Sequence, residues 1–220
     1  MGSSIKENDT MDRRIRKTRA ALKGALANLM LVKQVKDISV RELTDLADVN
    51  RGTFYLHYKD VFDLLEKTED DILEEFKETL NEFDEKSVSD DATRFFESVY
   101  TLCMKNGDFI RILIGENGDI RFLNSLKELV REKCLNEWSF ITKKQRPEQF
   151  DSYYAFIVGG LISLLQYWFS SNMKETPHEL AIITGDMLSG GLSMKSKSNM
   201  KAGYVTIQAV GNLEEAALPE

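Results

Sequence analysis

The stretch ISVRELTDLADVNRGTFYLHYKD, residues 38–60, decides how this chain is interpreted. Its beginning predicts a sharp helix start, because Ser39 stands in the N-cap position and Glu42 follows three residues later, the spacing of a capping box. Ile38 and Leu43 flank the start at the positions of a hydrophobic staple. We therefore expect a short helix that begins directly after the cap.

A tight turn should interrupt the pattern after this helix. Asp48 tolerates a left-handed backbone better than most residues other than glycine. A second short helix is predicted from about Asn50 to Tyr58, and Asp60 is placed to cap the helix that follows. Two short helices joined by a tight turn form a helix-turn-helix.

The second of these helices has two chemically different faces. We expect Val49, Phe54 and Tyr58 to point inward. The apolar side chains that should anchor them are Leu22, Leu26, Leu43 and Leu46. The polar and aromatic residues on the outward face are Asn50, Arg51, Thr53, Tyr55 and His57. Gly52 would let the backbone approach a partner surface closely.

A basic, aromatic and hydrogen-bonding face suits the major groove of DNA. Arg51 can bind guanine or phosphate, and Thr53 can contact a thymine methyl group. Tyr55, His57 and Lys59 can hold phosphates and thereby fix the register. In a second interpretation, Tyr55 and His57 are ordinary surface side chains, and Tyr58 is a core residue that does not contact DNA.

The charge distribution agrees with a nucleic-acid partner, although the net charge is −7. Residues 1–59 hold 12 Lys and Arg against 7 Asp and Glu, whereas residues 60–220 hold 17 against 29. A basic N-terminal quarter on an acidic body confines DNA binding to one end. A basic cluster that includes Arg14 and Lys17 begins an amphipathic helix expected over 11–34, where it contacts phosphate or forms a solvated face.

The remaining chain also predicts helices, which makes the fold all-α. A long helix from Asp60 to about Glu85 should bury Phe62, Leu65, Ile72, Phe76, Leu80 and Phe83. The polar stretch EKSVSDD, residues 85–91, is interpreted as a loop. Further helices are expected over 90–106, 107–115, 119–143, 148–172 and 177–190. A second capping box, with Thr176 and Glu179, should start the last helix.

Other features exclude several classes of protein. Cys103 and Cys134 are far apart in helix-like segments, which fits packed thiols in a reducing compartment rather than disulfides or a metal site. The most apolar run, residues 155–165, is too short to span a bilayer, and the N-terminus lacks the pattern of a signal peptide. We therefore expect a cytoplasmic protein without a cofactor or a metal, and no constellation of catalytic residues indicates an enzyme.

Residues 11–66, and above all ISVRELTDLADVNRGTFYLHYKDVFDLL, resemble the DNA-binding region of the TetR/AcrR family of transcriptional regulators. The resemblance implies a homodimer with a C-terminal helical ligand-binding and dimerisation domain. It departs from the family at Thr44, Asp48 and Val61, and the last of these removes a frequent lysine. The full set of candidate DNA contacts is Arg14, Lys17, Ser39, Arg41, Asn50, Arg51, Gly52, Thr53, Tyr55, His57, Tyr58 and Lys59.

Four segments follow from this interpretation. Residues 1–10 form a flexible N-terminal segment and residues 11–59 the helix-turn-helix domain. Residues 60–192 form the helical regulatory and dimerisation domain, and residues 193–220 a disordered or loosely docked tail.

Two sites are expected in the regulatory domain. A two-fold dimer interface is predicted at Gly159, Gly160, Leu161, Leu164, Trp168, Ile183 and Met187, because the helix around them is apolar on nearly every side. The rival explanation is a central buried helix in a monomer. Candidates for a ligand pocket are Phe95, Phe109, Trp138, Tyr154 and Phe156, which core packing explains equally well.

These expectations combine into one function. The chain should be a repressor that binds a palindromic double-stranded DNA operator as a homodimer and is released by an unidentified small-molecule effector. The alternative is a protein-interaction adaptor or co-activator whose C-terminal domain responds to a protein partner.

Overall fold

The computed structural model describes residues 3–115, 118–136 and 150–193, and every regular element within these ranges is helical. The chain divides into two compact units, Met1–Gly185 and Asp186–Glu220. The expected all-α class is therefore confirmed. The predicted tail, residues 194–220, and the segment 137–149 lie outside the described residues.

Four helices begin the first unit: α1 (Ser3–Met30), α2 (Val40–Ala47), α3 (Arg51–Tyr55) and α4 (Val61–Asn81), with a 3₁₀ turn at Val35–Asp37. Helix α1 ends four residues earlier than the pattern predicted. It packs against α2, α4 and a later helix, α7 (Gly107–Leu113), and its apolar stripe includes Leu22, Leu26 and Leu29, all buried. Because α4 also packs against α6 (Ala92–Lys105) and α8 (Ile120–Asn136), it joins the helix-turn-helix to the rest of the unit.

Helix α4 begins as predicted, because the side chain of Asp60 accepts a hydrogen bond from the backbone N–H of Asp63 at 2.8 Å. Its buried face differs in one place from the expected stripe. Phe62 was placed inside but is 52% exposed, since Val61 and Leu64 take the inward positions of the first turn.

The segment predicted as a loop at residues 85–91 is mostly a helix, α5 (Glu85–Asp90). Asp84 caps it by accepting a hydrogen bond from the backbone N–H of Ser87 at 2.8 Å, and Val88 fixes it by burial. The polar composition hid this helix, because only one of its side chains reaches the core.

The remaining helices are α6 (Ala92–Lys105), α7 (Gly107–Leu113), α8 (Ile120–Asn136), α9 (Phe150–Ser170) and α10 (Pro177–Ser193). The second capping box is confirmed at α10. Thr176 Oγ1 accepts from the backbone N–H of Glu179 at 3.2 Å, while the Glu179 carboxylate accepts from the backbone N–H of Thr176 at 2.8 Å. Within the described ranges, none of the helices is long and apolar enough to cross a membrane.

Candidate nucleic-acid interface

The helix-turn-helix forms from local signals in the sequence. Ser39 Oγ accepts the backbone N–H of Glu42 at 3.2 Å and starts α2, while the Glu42 carboxylate forms an ion pair with Lys33. Asp48 ends α2 with φ 53° and ψ 44°, the left-handed conformation predicted for it. This single residue turns the chain toward α3.

Helix α3 is shorter than expected but is held firmly. The Asn50 side chain caps it by accepting the backbone N–H of Gly52 at 2.7 Å. A Cβ atom at Gly52 would lie 3.1 Å from the Asn50 Oδ1 atom, so the missing side chain eases this cap. After Tyr55 the chain continues as a turn, in which the backbone N–H groups of His57 and Tyr58 both donate to the carbonyl of Phe54 at 2.9 Å.

The buried side of this unit rests on two aromatic side chains. Phe54 is 0% exposed and Tyr58 is 5% exposed. Burial raises the pKa of the Tyr58 hydroxyl. The structure thus places Tyr58 in the core, as the second interpretation of this residue required. Leu46, expected among the anchors, is instead 52% exposed.

The opposite side of the unit faces solvent. Arg51, Tyr55 and Lys59 are exposed, with Tyr55 at 58%, whereas Thr53 and His57 are half-buried. Leu56, which the sequence did not single out, is 81% exposed and lies directly after Tyr55. The recognition face, defined here as Arg51, Thr53, Tyr55, His57 and Lys59, therefore combines cations, hydroxyl groups and an imidazole.

The other candidate DNA contacts lie outside α3. Ser39 and Asn50 are exposed, although their side chains are also used as helix caps. Arg14 and Lys17 are exposed on α1. Arg41 is exposed and contacts Asp45 at 3.7 Å, a solvated ion pair that is weak enough to exchange for a phosphate.

Side chains proposed for a ligand pocket occupy different environments. Phe95 and Phe109 are each 7% exposed, so they belong to the core; Phe95 packs edge-on against Phe83. Tyr154 is half-buried and its hydroxyl donates to the carbonyl of Lys127. Phe156 is 78% exposed and faces solvent rather than a pocket. Trp138 lies outside the described residues.

A groove of about 430 Å³ lies between α4 and α8, and its lining does not include Phe95, Phe109, Tyr154 or Phe156. Half of its lining residues are acidic; the lining consists of Asp70, Leu73, Glu74, Lys77, Ser125, Glu128, Leu129 and Glu132.

Residues predicted for a dimer interface divide into exposed and buried groups. Gly159 and Gly160 are exposed, and a Cβ atom at either would have nothing within 4 Å. Leu161 and Leu164 are half-buried, and Ile183 is 37% exposed.

Two residues of that set differ from the rest. Trp168 was expected at the interface but is 0% exposed, and its Nε1 donates to the carbonyl of Glu175 at 2.8 Å. It is a core residue because it packs against Tyr100 and Phe169. Met187, in the second compact unit, is 62% exposed.

Comparisons with known proteins agree with this architecture. A TetR-type family model described as "Transcriptional regulator C-terminal region" matches residues 90–190. The uncharacterized HTH-type transcriptional regulator YxbF of Bacillus subtilis (strain 168) is 36% identical over 61 residues, which are 28% of this chain. The chain spans only 15% of the length of that relative.

Two solved structures share the fold. A TetR transcriptional regulator from Streptococcus agalactiae 2603V superposes with a TM-score of 0.55 at 21% identity, over 82% of this chain and 98% of that one. The regulator FadR from Bacillus subtilis, solved in complex with stearoyl-CoA, gives a TM-score of 0.55 at 13% identity, over 78% and 98%. Together with the helix-turn-helix geometry, these matches show that the chain has the fold of TetR-type transcriptional regulators and that residues 90–190 match the C-terminal region of such regulators.

Proposed function

We propose that the chain binds a specific duplex DNA operator as a homodimer through the recognition face, represses transcription there, and leaves the operator when an effector binds. The observation that carries the proposal is the two-sided construction of α3 and its following turn. Phe54 and Tyr58 are buried, whereas Arg51, Tyr55 and Lys59 are exposed on the same short segment. A rigid segment with a basic and aromatic outer side fits the major groove.

Roles within the face follow from the chemistry of each side chain. Arg51 is the first residue of α3 and is exposed, so its guanidinium can reach a guanine edge or a phosphate. Lys59 lies in the turn after α3 and is suited to a phosphate. The half-buried Thr53 presents a methyl group close to the helix surface, where it can contact thymine.

Charge supports the same orientation. The net charge of +5 in residues 1–59 attracts DNA, and the net charge of −12 in residues 60–220 repels it from the remaining surface. We therefore assign DNA contact to residues 11–59 and regulation with dimerisation to the helices that begin at residue 60.

A homodimer accounts for the exposed side of α9. The residues exposed along this side include Phe156, Gly159, Gly160 and Tyr167. The monomer interpretation requires a fully buried helix, and α9 does not meet that requirement. The two glycines leave room for a partner helix to approach closely. A two-fold dimer presents two copies of α3, and its operator should be palindromic.

Substitutions in the recognition face test the DNA contact. The operator is first obtained by in vitro selection. Lys59→Ala should then weaken binding to all DNA sequences by a similar factor, and the slope of log affinity against log salt concentration should become shallower by about one. Arg51→Ala should reduce the free energy of operator binding by about 1–3 kcal/mol and relax sequence specificity at one base pair. Lys86→Ala, an exposed lysine of α5, is the charge-matched control and should have little effect. Equal losses in all three variants would contradict the assignment.

Gly160→Arg tests the dimer. The arginine side chain would fill the space above α9, so sedimentation should show a monomer that retains its helical circular dichroism and loses tight operator binding. A wild-type monomer at micromolar concentration would contradict the dimer.

Effector release is supported by the family model over residues 90–190, and one similar structure was solved with stearoyl-CoA. A thermal-shift screen with acyl-CoA thioesters and small metabolites should reveal a compound that raises the unfolding temperature and lowers operator affinity. A compound that stabilises the protein without changing operator affinity would argue against effector release.

A further inference from the structure

The backbone directly after α3 is held by two side chains of α4. The carboxylate of Asp63 accepts the backbone N–H of Lys59 at 2.9 Å. Lys67 donates from Nζ to the same carboxylate oxygen at 2.9 Å and to the carbonyl of His57 at 3.2 Å. Its Nζ also lies 5.4 Å from the centre of the Tyr58 ring.

These bonds satisfy groups that the ends of helices leave without partners. The carbonyl of His57 follows the end of α3, and the N–H of Lys59 precedes the start of α4. Both groups lie in the short segment between the two helices, and Asp63 and Lys67 fix that segment by bonding to them. Cations are favourable beside carbonyls at the end of a helix, and carboxylates are favourable at the start of one.

Burial and charge distinguish this arrangement from an ordinary surface ion pair. The Asp63 side chain is only 15% exposed, while that of Lys67 is 50% exposed. The bond from Lys67 and the bond from the Lys59 backbone both hold the pKa of Asp63 below its usual value. Lys67 also compensates a negative charge that would otherwise stand beside the proposed phosphate contact at Lys59.

We propose that Asp63 and Lys67 are a positioning pair, which fixes the backbone of residues 57–59 so that the Lys59 side chain is already aimed at an operator phosphate. The inference rests on the proposed function, because it assigns a role in operator binding. Neither residue touches DNA in this account; both act through the backbone of His57 and Lys59.

Hydrogen exchange of the free protein tests the backbone part without DNA. In Asp63→Ala the amide of Lys59 should exchange about tenfold faster than in the wild type, and in Lys67→Met the increase should be smaller. The Lys105→Met variant is a matched control, because the exposed Lys105 contacts the α4 residue Glu75 at 3.0 Å. An unchanged Lys59 amide in Asp63→Ala would overturn the proposal.

Operator affinity tests the positioning part through a double-mutant cycle. Lys67→Met should weaken operator binding about threefold to tenfold in the wild-type background but less than twofold in the Lys59→Ala background, because the pair acts through Lys59. Lys105→Met should change affinity less than twofold in both. Equal losses from Lys67→Met in the two backgrounds would overturn the proposal in favour of an independent charge effect.

The two arms separate the positioning pair from the proposed function. If the wild-type protein binds no duplex but the Lys59 amide still exchanges faster in Asp63→Ala, the backbone restraint is supported. DNA binding and the positioning role of the pair are then both rejected. Wild-type protein that binds its operator, with no effect of Lys67→Met, would reject the positioning pair alone.

Discussion

Glu69 carries an ionisable group in an unfavourable place, and replacing it should change how stability depends on pH. Its side chain is 7% exposed on α4, and its Oε1 atom has no hydrogen-bond partner among the described residues. Burial, with a smaller contribution from the nearby Asp119, raises the pKa of the Glu69 carboxyl from 4.5 to about 7, although Arg121 opposes the shift.

The sign of the effect follows from proton binding. Between pH 4.5 and 7 the folded chain retains the proton that the unfolded chain has released, so stability falls as pH rises through this window. One pKa unit corresponds to about 1.4 kcal/mol, which gives ~3 kcal/mol for the whole shift. Relaxation of the surrounding side chains around the charged carboxylate reduces the expected loss to about 2 kcal/mol.

Glu69→Gln should remove this dependence, because glutamine has the shape of the protonated side chain and does not titrate. Urea unfolding should show a variant close to the wild type at pH 5 and more stable by about 2 kcal/mol at pH 8. Glu78→Gln is the control, since Glu78 is exposed on the same helix more than two turns away. Parallel profiles of stability against pH for the wild type and Glu69→Gln would show that burial of Glu69 does not raise its pKa.

Three further predictions concern stability and reactivity. Phe54→Ala removes a side chain that is 0% exposed and should lower the free energy of unfolding by about 3–5 kcal/mol in urea titration; a loss below about 1 kcal/mol would show that α3 is not anchored by it. Thr176→Ala removes the side-chain half of the α10 capping box and should cost about 1 kcal/mol in the same assay, whereas no change would count against the cap. Burial raises the pKa of the Cys103 thiol to about 12 and that of Cys134 to about 11, so both should react with a disulfide reagent at pH 8 far more slowly in the native protein than in urea; rapid labelling of the native protein would contradict this.

Features encoded within a few neighbouring residues were predictable from the sequence. The caps at Ser39, Asp60 and Thr176 and the left-handed Asp48 all depend on local hydrogen bonds or local backbone preference. The two-sided character of the recognition helix, with Phe54 buried and Arg51 exposed, follows from helical spacing.

Features that depend on packing between distant segments were not predictable in the same way. Helix α5 has a polar composition and is fixed by its cap and by the burial of Val88. Trp168 was assigned to an interface because the periodicity of a sequence identifies an apolar face but not the residues that cover that face. In the structure, Tyr100 and Phe169 of the same chain pack against Trp168. The contacts of Asp63 and Lys67 with the end of α3 likewise arise only when two helices meet.

Sequence-specific DNA binding by this protein is tested by measuring the binding of the wild-type protein to random duplex DNA at several salt concentrations. In vitro selection should enrich a palindromic sequence, and the affinity of the protein for this sequence should fall steeply as salt rises, because Lys and Arg residues of the N-terminal region displace counterions from phosphates. Failure to enrich any sequence, with no salt-sensitive binding to any duplex, would contradict the account.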